Sequence, residues 1–192
     1  MKNGQKYPLN LTPTKKLKGK QVWSLVIAWW HLDYPLTMSF RNATSFAGIA
    51  IVLVYVIGSG LWVNTGDSWY ANLNKPSWQP PGFIFGIIWP YNFIVLGIAA
   101  FAIGQRASKP VVLTYMAFFA LSVFAALLWA YQFYRPHNLT VAAIALIATA
   151  LLTLPMTYIL FTISLPLAIA VVPYQVWVAI AASISWRYSQ IN

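Results

Sequence analysis

Few side chains in these 192 residues are suited to acid–base, nucleophilic or metal chemistry, and those few are scattered. The only carboxylates are Asp33 and Asp67, the only histidines His31 and His137, and there is neither Glu nor Cys. Paired-carboxylate hydrolysis, a thiol nucleophile and a conventional zinc or iron–sulfur site are thereby excluded. What remains is aromatic: ten Trp, eleven Tyr and eleven Phe. Such rings bury large apolar area and stack, and Trp adds one N–H donor.

The aromatic residues concentrate in the segment WYANLNKPSWQPPGFIFGIIW at 69–89. Pro76, Pro80 and Pro81 rule out a helix through the connection and make it stiff. Trp62 and Trp69 suit an interface belt, whereas Trp78, set between Pro76 and Pro80, is expected to pack as part of a lid. Further along, Trp89 falls about two turns into the next apolar stretch, and Trp129 and Gln132 close the one after it. Trp177 falls ~15 Å below the end of the last, at ~1.5 Å per residue. Phe85, Trp89, Asn92 and Phe93 share one helical face, and Pro173, Trp177, Ala181 and Ile184 share another. Two such faces can enclose a flat aromatic ligand. They can equally pack helix on helix, with Asn and Gln as structural glue, and the residues alone leave both readings open.

The elements that must position these residues follow from composition. Hydrophobic residues make up 60% and charged residues 7%, against ~45–50% and ~25% in soluble domains, so lipid is the solvent for most of the surface. Uncharged runs cover 42–66, 76–105, 110–134 and 136–186. A crossing of ~30 Å of hydrocarbon takes ~20 residues, so each of the first three runs holds one. The fourth, of 51 residues, must fold back near Ser164-Leu165-Pro166, because proline disfavours helix at the residue before it. The reading is an all-α membrane protein, a five transmembrane helix bundle with helices near 44–63, 83–103, 110–133, 139–160 and 165–187. Backbone groups in lipid must pair internally, and no barrel-type alternation is visible. Connections at 104–109, 134–138 and 161–164 are short and force antiparallel neighbours, leaving 64–82 as the one long link. Gly82 and Gly86 have a spacing that can bring helices close.

Net charge is +10, but six of the twelve cations lie within residues 2–20, which reads as a basic tail and not as a nucleic-acid face. Nine Lys and Arg fall on the amino-terminal side (Lys2, Lys6, Lys15, Lys16, Lys18, Lys20, Arg41, Arg106, Lys109) against three opposite (Lys75, Arg135, Arg187). This excess predicts a cytoplasmic N-terminus and an external 64–82 loop. A start at Met38 would leave three against three. Residues 1–37 form a basic leader. Its run VWSLVIAWW at 22–30 is too short to span and has Trp23, Val26, Ile27 and Trp30 at helical spacing, which suits an interfacial helix; an unstructured leader upstream of Met38 is the other reading. No small-residue cleavage site follows it.

Segment 69–89 resembles the signature of the translocator protein family, also called tryptophan-rich sensory proteins or TspO/MBR. Trp69, Tyr70, Leu73, Lys75, Pro76, Trp78, Pro80, Pro81 and Trp89 stand at its defining positions. A second block, PYQVWVAIAASISWRYSQIN at 173–192, is similar to the family's fifth helix in Pro173, Tyr174, Trp177, Ala181, Ser185 and Asn192. Residues 38–192 have the family's usual length. The resemblance implies a pocket beneath the first loop for porphyrins and other tetrapyrroles, sterols and synthetic isoquinoline or benzodiazepine ligands, in a sensor or regulator of a bacterial plasma membrane. The resemblance assigns Tyr70, Pro80, Trp89, Phe93, Trp177, Ala181 and Ile184 to the ligand-binding set, and the spacing adds Phe85, Asn92, Trp129 and Gln132. The ligand is a porphyrin, no cofactor or metal is required, and a homodimer stays open.

Two other functions follow from the same resemblance. One is light-dependent porphyrin degradation using Trp89 and Trp177, whose chemistry would have to come from the photoexcited ligand. The other is transport of tetrapyrrole or sterol-like molecules, for which five crossings do not divide into equal repeats. The chain departs from the family in its third helix, where Leu121, Ser122 and Ala125 stand in place of the usual Asn, and in its fourth, which lacks an acidic residue near its start. No Lys or Arg follows Tyr188, so the cholesterol-recognition pattern is missing.

Overall fold

In the computed structural model, residues 38–192 are described, and the leader reading for 1–37, interfacial helix included, lies outside them. The chain forms α1 (Met38–Trp62), α2 (Ser68–Asn72), α3 (Gly82–Arg106), α4 (Lys109–Tyr134), α5 (Leu139–Ile163) and α6 (Leu165–Ile191). All but α2 have 25 to 27 residues and apolar windows of mean hydropathy 1.9 to 2.4. At ~1.5 Å per residue each exceeds the ~30 Å hydrocarbon core. The architecture is therefore an all-α bundle of five membrane-spanning helices, and the chain is a multi-pass integral membrane protein.

The breaks occur where local chemistry requires them. Ser164, extended at φ −159°, ψ 102°, ends α5 and begins α6, with Pro166 in the first turn of the new helix. Asn138 caps α5 by accepting from the Val141 N–H at 3.1 Å. Pro110 opens α4, at a position where its missing N–H costs nothing. Pro90, Pro155 and Pro173 sit inside helices, which membrane helices tolerate because neighbouring side chains bond to the backbone near the bend. Tyr91 Oη donates to the Ala170 carbonyl at 2.8 Å, one turn before Pro173.

Two boundaries differ from the hydropathy reading. α1 starts at Met38, six residues before the expected 44, because polar residues at the headgroup level end the hydrocarbon span without ending the helix. Arg41 there donates to the Gln105 carbonyl of α3. The 64–82 link, expected to be non-helical, contains α2, which Asp67 starts by accepting from the Trp69 N–H at 3.0 Å.

Small residues set the helix contacts. α5 packs closely against both α4 and α6, and α1 against α3 and α4. Where α1 meets α3, a Cβ on Gly104 would lie 2.5 Å from Ser45 Oγ, and one on Gly48 2.7 Å from the Ala100 Cβ. Ser45 Oγ donates to the Phe101 carbonyl at 2.9 Å. Gly82 and Gly86 do not act in this way: a Cβ on either meets nothing within 4 Å. Outside the bundle Leu53, Ile57, Ile87, Ile94, Phe124 and Tyr158 are exposed, as lipid contact requires.

Candidate functional site

Two layers of side chains lie under the 64–82 link, at the end of the bundle formed by the C-termini of α1, α4 and α6. In the upper layer Tyr70, from α2, packs against Phe133, Tyr134 and Tyr188, with ring centroids 6.3, 5.8 and 6.4 Å away. Trp69 stacks on His137 at 3.7 Å and 10°. His137 adopts a positive φ of 57° in the α4–α5 turn. Phe133, Ile184 and Tyr188 are buried at the centre of this layer, with Trp129 against them.

Hydrogen bonds tie the upper layer together. Tyr188 Oη donates to Gln79 Oε1 at 2.6 Å, and Gln79 Nε2 donates to Tyr70 Oη at 3.3 Å. The Asn74 N–H donates to Asn192 Oδ1 at 2.8 Å, while Asn192 Nδ2 donates to the Asn74 carbonyl at 3.1 Å. This reciprocal pair clamps the link to the end of α6. Trp129 Nε1 donates to Ser185 Oγ at 3.2 Å. Arg135 Nη2 donates to the Leu61 carbonyl at 2.9 Å, and Lys75 Nζ stands 5.5 Å from the centre of the Tyr70 ring.

Trp78 does not pack as a lid. It is 51% exposed, and Pro76 is the buried residue of that stretch. A proline-held loop fixes the indole's direction as firmly outward as inward, and spacing alone does not distinguish the two.

The lower layer is built from α1, α3, α4 and α6. Trp177 meets the edge of Phe85 at 5.1 Å. Trp89 stacks on Phe93 at 5.6 Å, and Tyr55 of α1 meets both, at 5.9 and 5.2 Å. The two tryptophans thus belong to two separate aromatic groups. Ala181 is half-buried against the same core as Trp89 and Phe93.

Asn92 is fully buried in the middle of α3, and neither its Nδ2 nor its Oδ1 has a hydrogen-bond partner among the described residues. Trp177 Nε1, Tyr115 Oη, Tyr174 Oη and Gln175 Oε1 are likewise buried without partners. The hydroxyls of Tyr55 and Tyr115 both lie near that of Tyr174. An unpaired buried polar group costs about 1–3 kcal/mol, and this layer carries several in a bundle whose surroundings offer no water.

Of the residues chosen from sequence, Tyr70, Trp129 and Ile184 belong to the upper layer. Phe85, Trp89, Asn92, Phe93, Trp177 and Ala181 belong to the lower, and Pro80 and Gln132 are half-buried. Sequence reasoning missed Gln79, Asn74 and Tyr55, and it gave Tyr115, Tyr174, Tyr188 and Asn192 no part in the site. Gln79 did carry a signal, being the polar residue between Trp78 and Pro80 in the richest segment.

Residues 46–191 match the model of the TspO/MBR family. The chain belongs to the TspO/MBR family. A tryptophan-rich sensory protein of Cereibacter sphaeroides is 25% identical over 148 residues, covering 74% of this chain and 92% of the relative. The tryptophan-rich protein TspO of Bacillus cereus is 30% identical over 126 residues, or 65% of this chain and 81% of the relative. A translocator protein of Ovis aries is 30% identical over 135 residues, or 66% and 76%. The TspO/MBR match takes in both layers, from Tyr55 to Tyr188.

Proposed function

We propose that this TspO/MBR protein binds a porphyrin or related tetrapyrrole between α3 and α6, beneath the latched first loop, and acts as a sensor or regulator in a bacterial plasma membrane with its N-terminus in the cytoplasm. The observation that carries the reading is the set of buried polar atoms without partners among the described residues, Asn92 above all, on helices that also carry the ring pairs Phe85–Trp177 and Trp89–Phe93. A macrocycle supplies what such a layer lacks. Its flat face stacks on indole and phenyl rings, and each Å2 of apolar area buried contributes ~25 cal/mol. Its pyrrole nitrogens and carboxylates give Asn92 Nδ2, Trp177 Nε1 and the tyrosine hydroxyls acceptors, and two of the loop-side cations, Lys75 and Arg135, can meet its propionates. The porphyrin is the ligand and no further cofactor is needed. The names of the sensory relatives agree with a sensing role.

Entry of the guest requires the lower layer to part, and the Asn74–Asn192 clamp stands over the path. Binding then changes the packing of α3 against α6, which is the signal a regulator would transmit. Titration of the purified protein with protoporphyrin while Trp fluorescence is followed tests this. Saturable quenching at micromolar ligand, weakened at least tenfold by Trp177→Phe, is the expected result. No quenching, or equal affinity in wild type and Trp177→Phe, would overturn the reading.

A further inference from the structure

On the outer flank of α1 and α3, away from both layers, lies a groove of about 520 Å3. Ile49, Gly97, Ile98, Phe101 and Ala102 give it an apolar floor, and Gln105 and Arg106 close one end. Gly97 leaves the trough open: a Cβ there would only touch Ile49 Cδ1, at 3.6 Å. From Gly97 to Arg106 the groove follows α3 for ~14 Å, at ~1.5 Å per residue.

Among the described residues, nothing compensates the charge at the closed end. Gln105 is already engaged, its Nε2 donating to Asn42 Oδ1 at 3.2 Å and to Ser45 Oγ at 3.0 Å, and its carbonyl accepting from Arg41. Arg106 is exposed and makes no hydrogen bond or ion pair with any described residue. Arg41 and Lys109 lie at the same end of the bundle, whereas Asp67, the one carboxylate among the described residues, caps α2 at the other. An apolar trough that ends, at headgroup depth, in a guanidinium without a partner among the described residues matches a molecule with an acyl tail and an anionic head. Arginine binds phosphate oxygens through a planar fork of donors.

We infer that this groove is a specific site for one anionic phospholipid, its phosphate on Arg106 and one acyl chain along Gly97, Ile98 and Phe101. The test is native mass spectrometry of the full-length protein released from bilayers of equal phosphatidylglycerol and phosphatidylcholine. Wild type should keep one phosphatidylglycerol over phosphatidylcholine by about five- to tenfold, the worth of one charge-assisted contact. Arg106→Gln should abolish that preference, and Arg187→Gln, at the opposite end, should preserve it. Gly97→Leu should reduce retention of both lipids, and Ala102→Leu fills the same trough if Gly97→Leu fails to fold. Three outcomes would overturn the site: Arg106→Gln keeping the preference, Arg187→Gln losing it equally, or wild type emerging as a lipid-free dimer with a second copy over the groove.

Discussion

The two layers beneath the first loop are made from the same residue types and treat their polar atoms in opposite ways. In the upper layer Tyr188, Gln79 and Tyr70 form a chain, Trp129 bonds Ser185, and Asn74 and Asn192 bond each other. In the lower layer Trp177 Nε1, both amide atoms of Asn92 and the Tyr115 hydroxyl are more deeply buried and bond nothing among the described residues. Stability accounts for the first arrangement. It does not account for the second, since buried polar atoms in proteins are nearly always paired. Strain of this kind persists where a partner arrives during function. On the proposed function the upper layer is a structural clasp and the lower one a binding surface, and substitutions in the two should give opposite signatures.

The largest contrast should come from removing a ring. Phe133 is 2% exposed at the centre of the upper layer, so Phe133→Ala should lower stability by about 3–5 kcal/mol, read as thermal or denaturant unfolding in detergent. Phe93, partly buried among Trp89 and Tyr55, should cost clearly less as Phe93→Ala while weakening porphyrin binding more. Equal stability losses would break the distinction between the layers.

Removing single hydroxyls sharpens it. Tyr188→Phe deletes a 2.6 Å hydrogen bond and should cost about 1–1.5 kcal/mol. The chemically identical change Tyr115→Phe deletes a hydroxyl with no partner among the described residues, and should leave stability unchanged or raise it by up to about 1 kcal/mol. A loss at Tyr115 as large as at Tyr188 would mean that its hydroxyl is satisfied. The smallest effect belongs to the clamp. Asn192→Ala removes the amide that bonds Asn74 and should cost roughly 0.5–1 kcal/mol at its exposed position. Stopped-flow mixing with protoporphyrin should show severalfold faster association in that variant.

Much of the fold is legible in the sequence, because membrane spans are set by where charge is absent. The gaps between Arg41, Asp67, Lys75, Arg106, Lys109, Arg135 and Arg187 locate all five helices, and Pro166 locates the last turn. Their ends are less legible, since hydropathy marks the hydrocarbon boundary while helices such as α1 run on into the headgroups. α2 escaped because one Asp67 cap is its only local signal in a proline-rich link. Within the site, spacing put Trp89, Asn92 and Phe93 on one face of α3, and they do pack there. Spacing could not say that Trp78 faces outward, nor that Tyr55, Tyr115 and Tyr174 converge from three helices. Whether a buried hydroxyl or amide finds a partner depends on how the helices are rotated against one another, which no single stretch of sequence records.

The central claim rests on Asn92, whose amide has no partner at either atom among the described residues. Its most direct test is the unfolding temperature of Asn92→Leu with and without protoporphyrin. The account predicts a more stable protein without ligand, by about 1–2 kcal/mol, and a smaller stabilisation by ligand than in wild type. A less stable Asn92→Leu protein that porphyrin stabilises as strongly as it does wild type would contradict it.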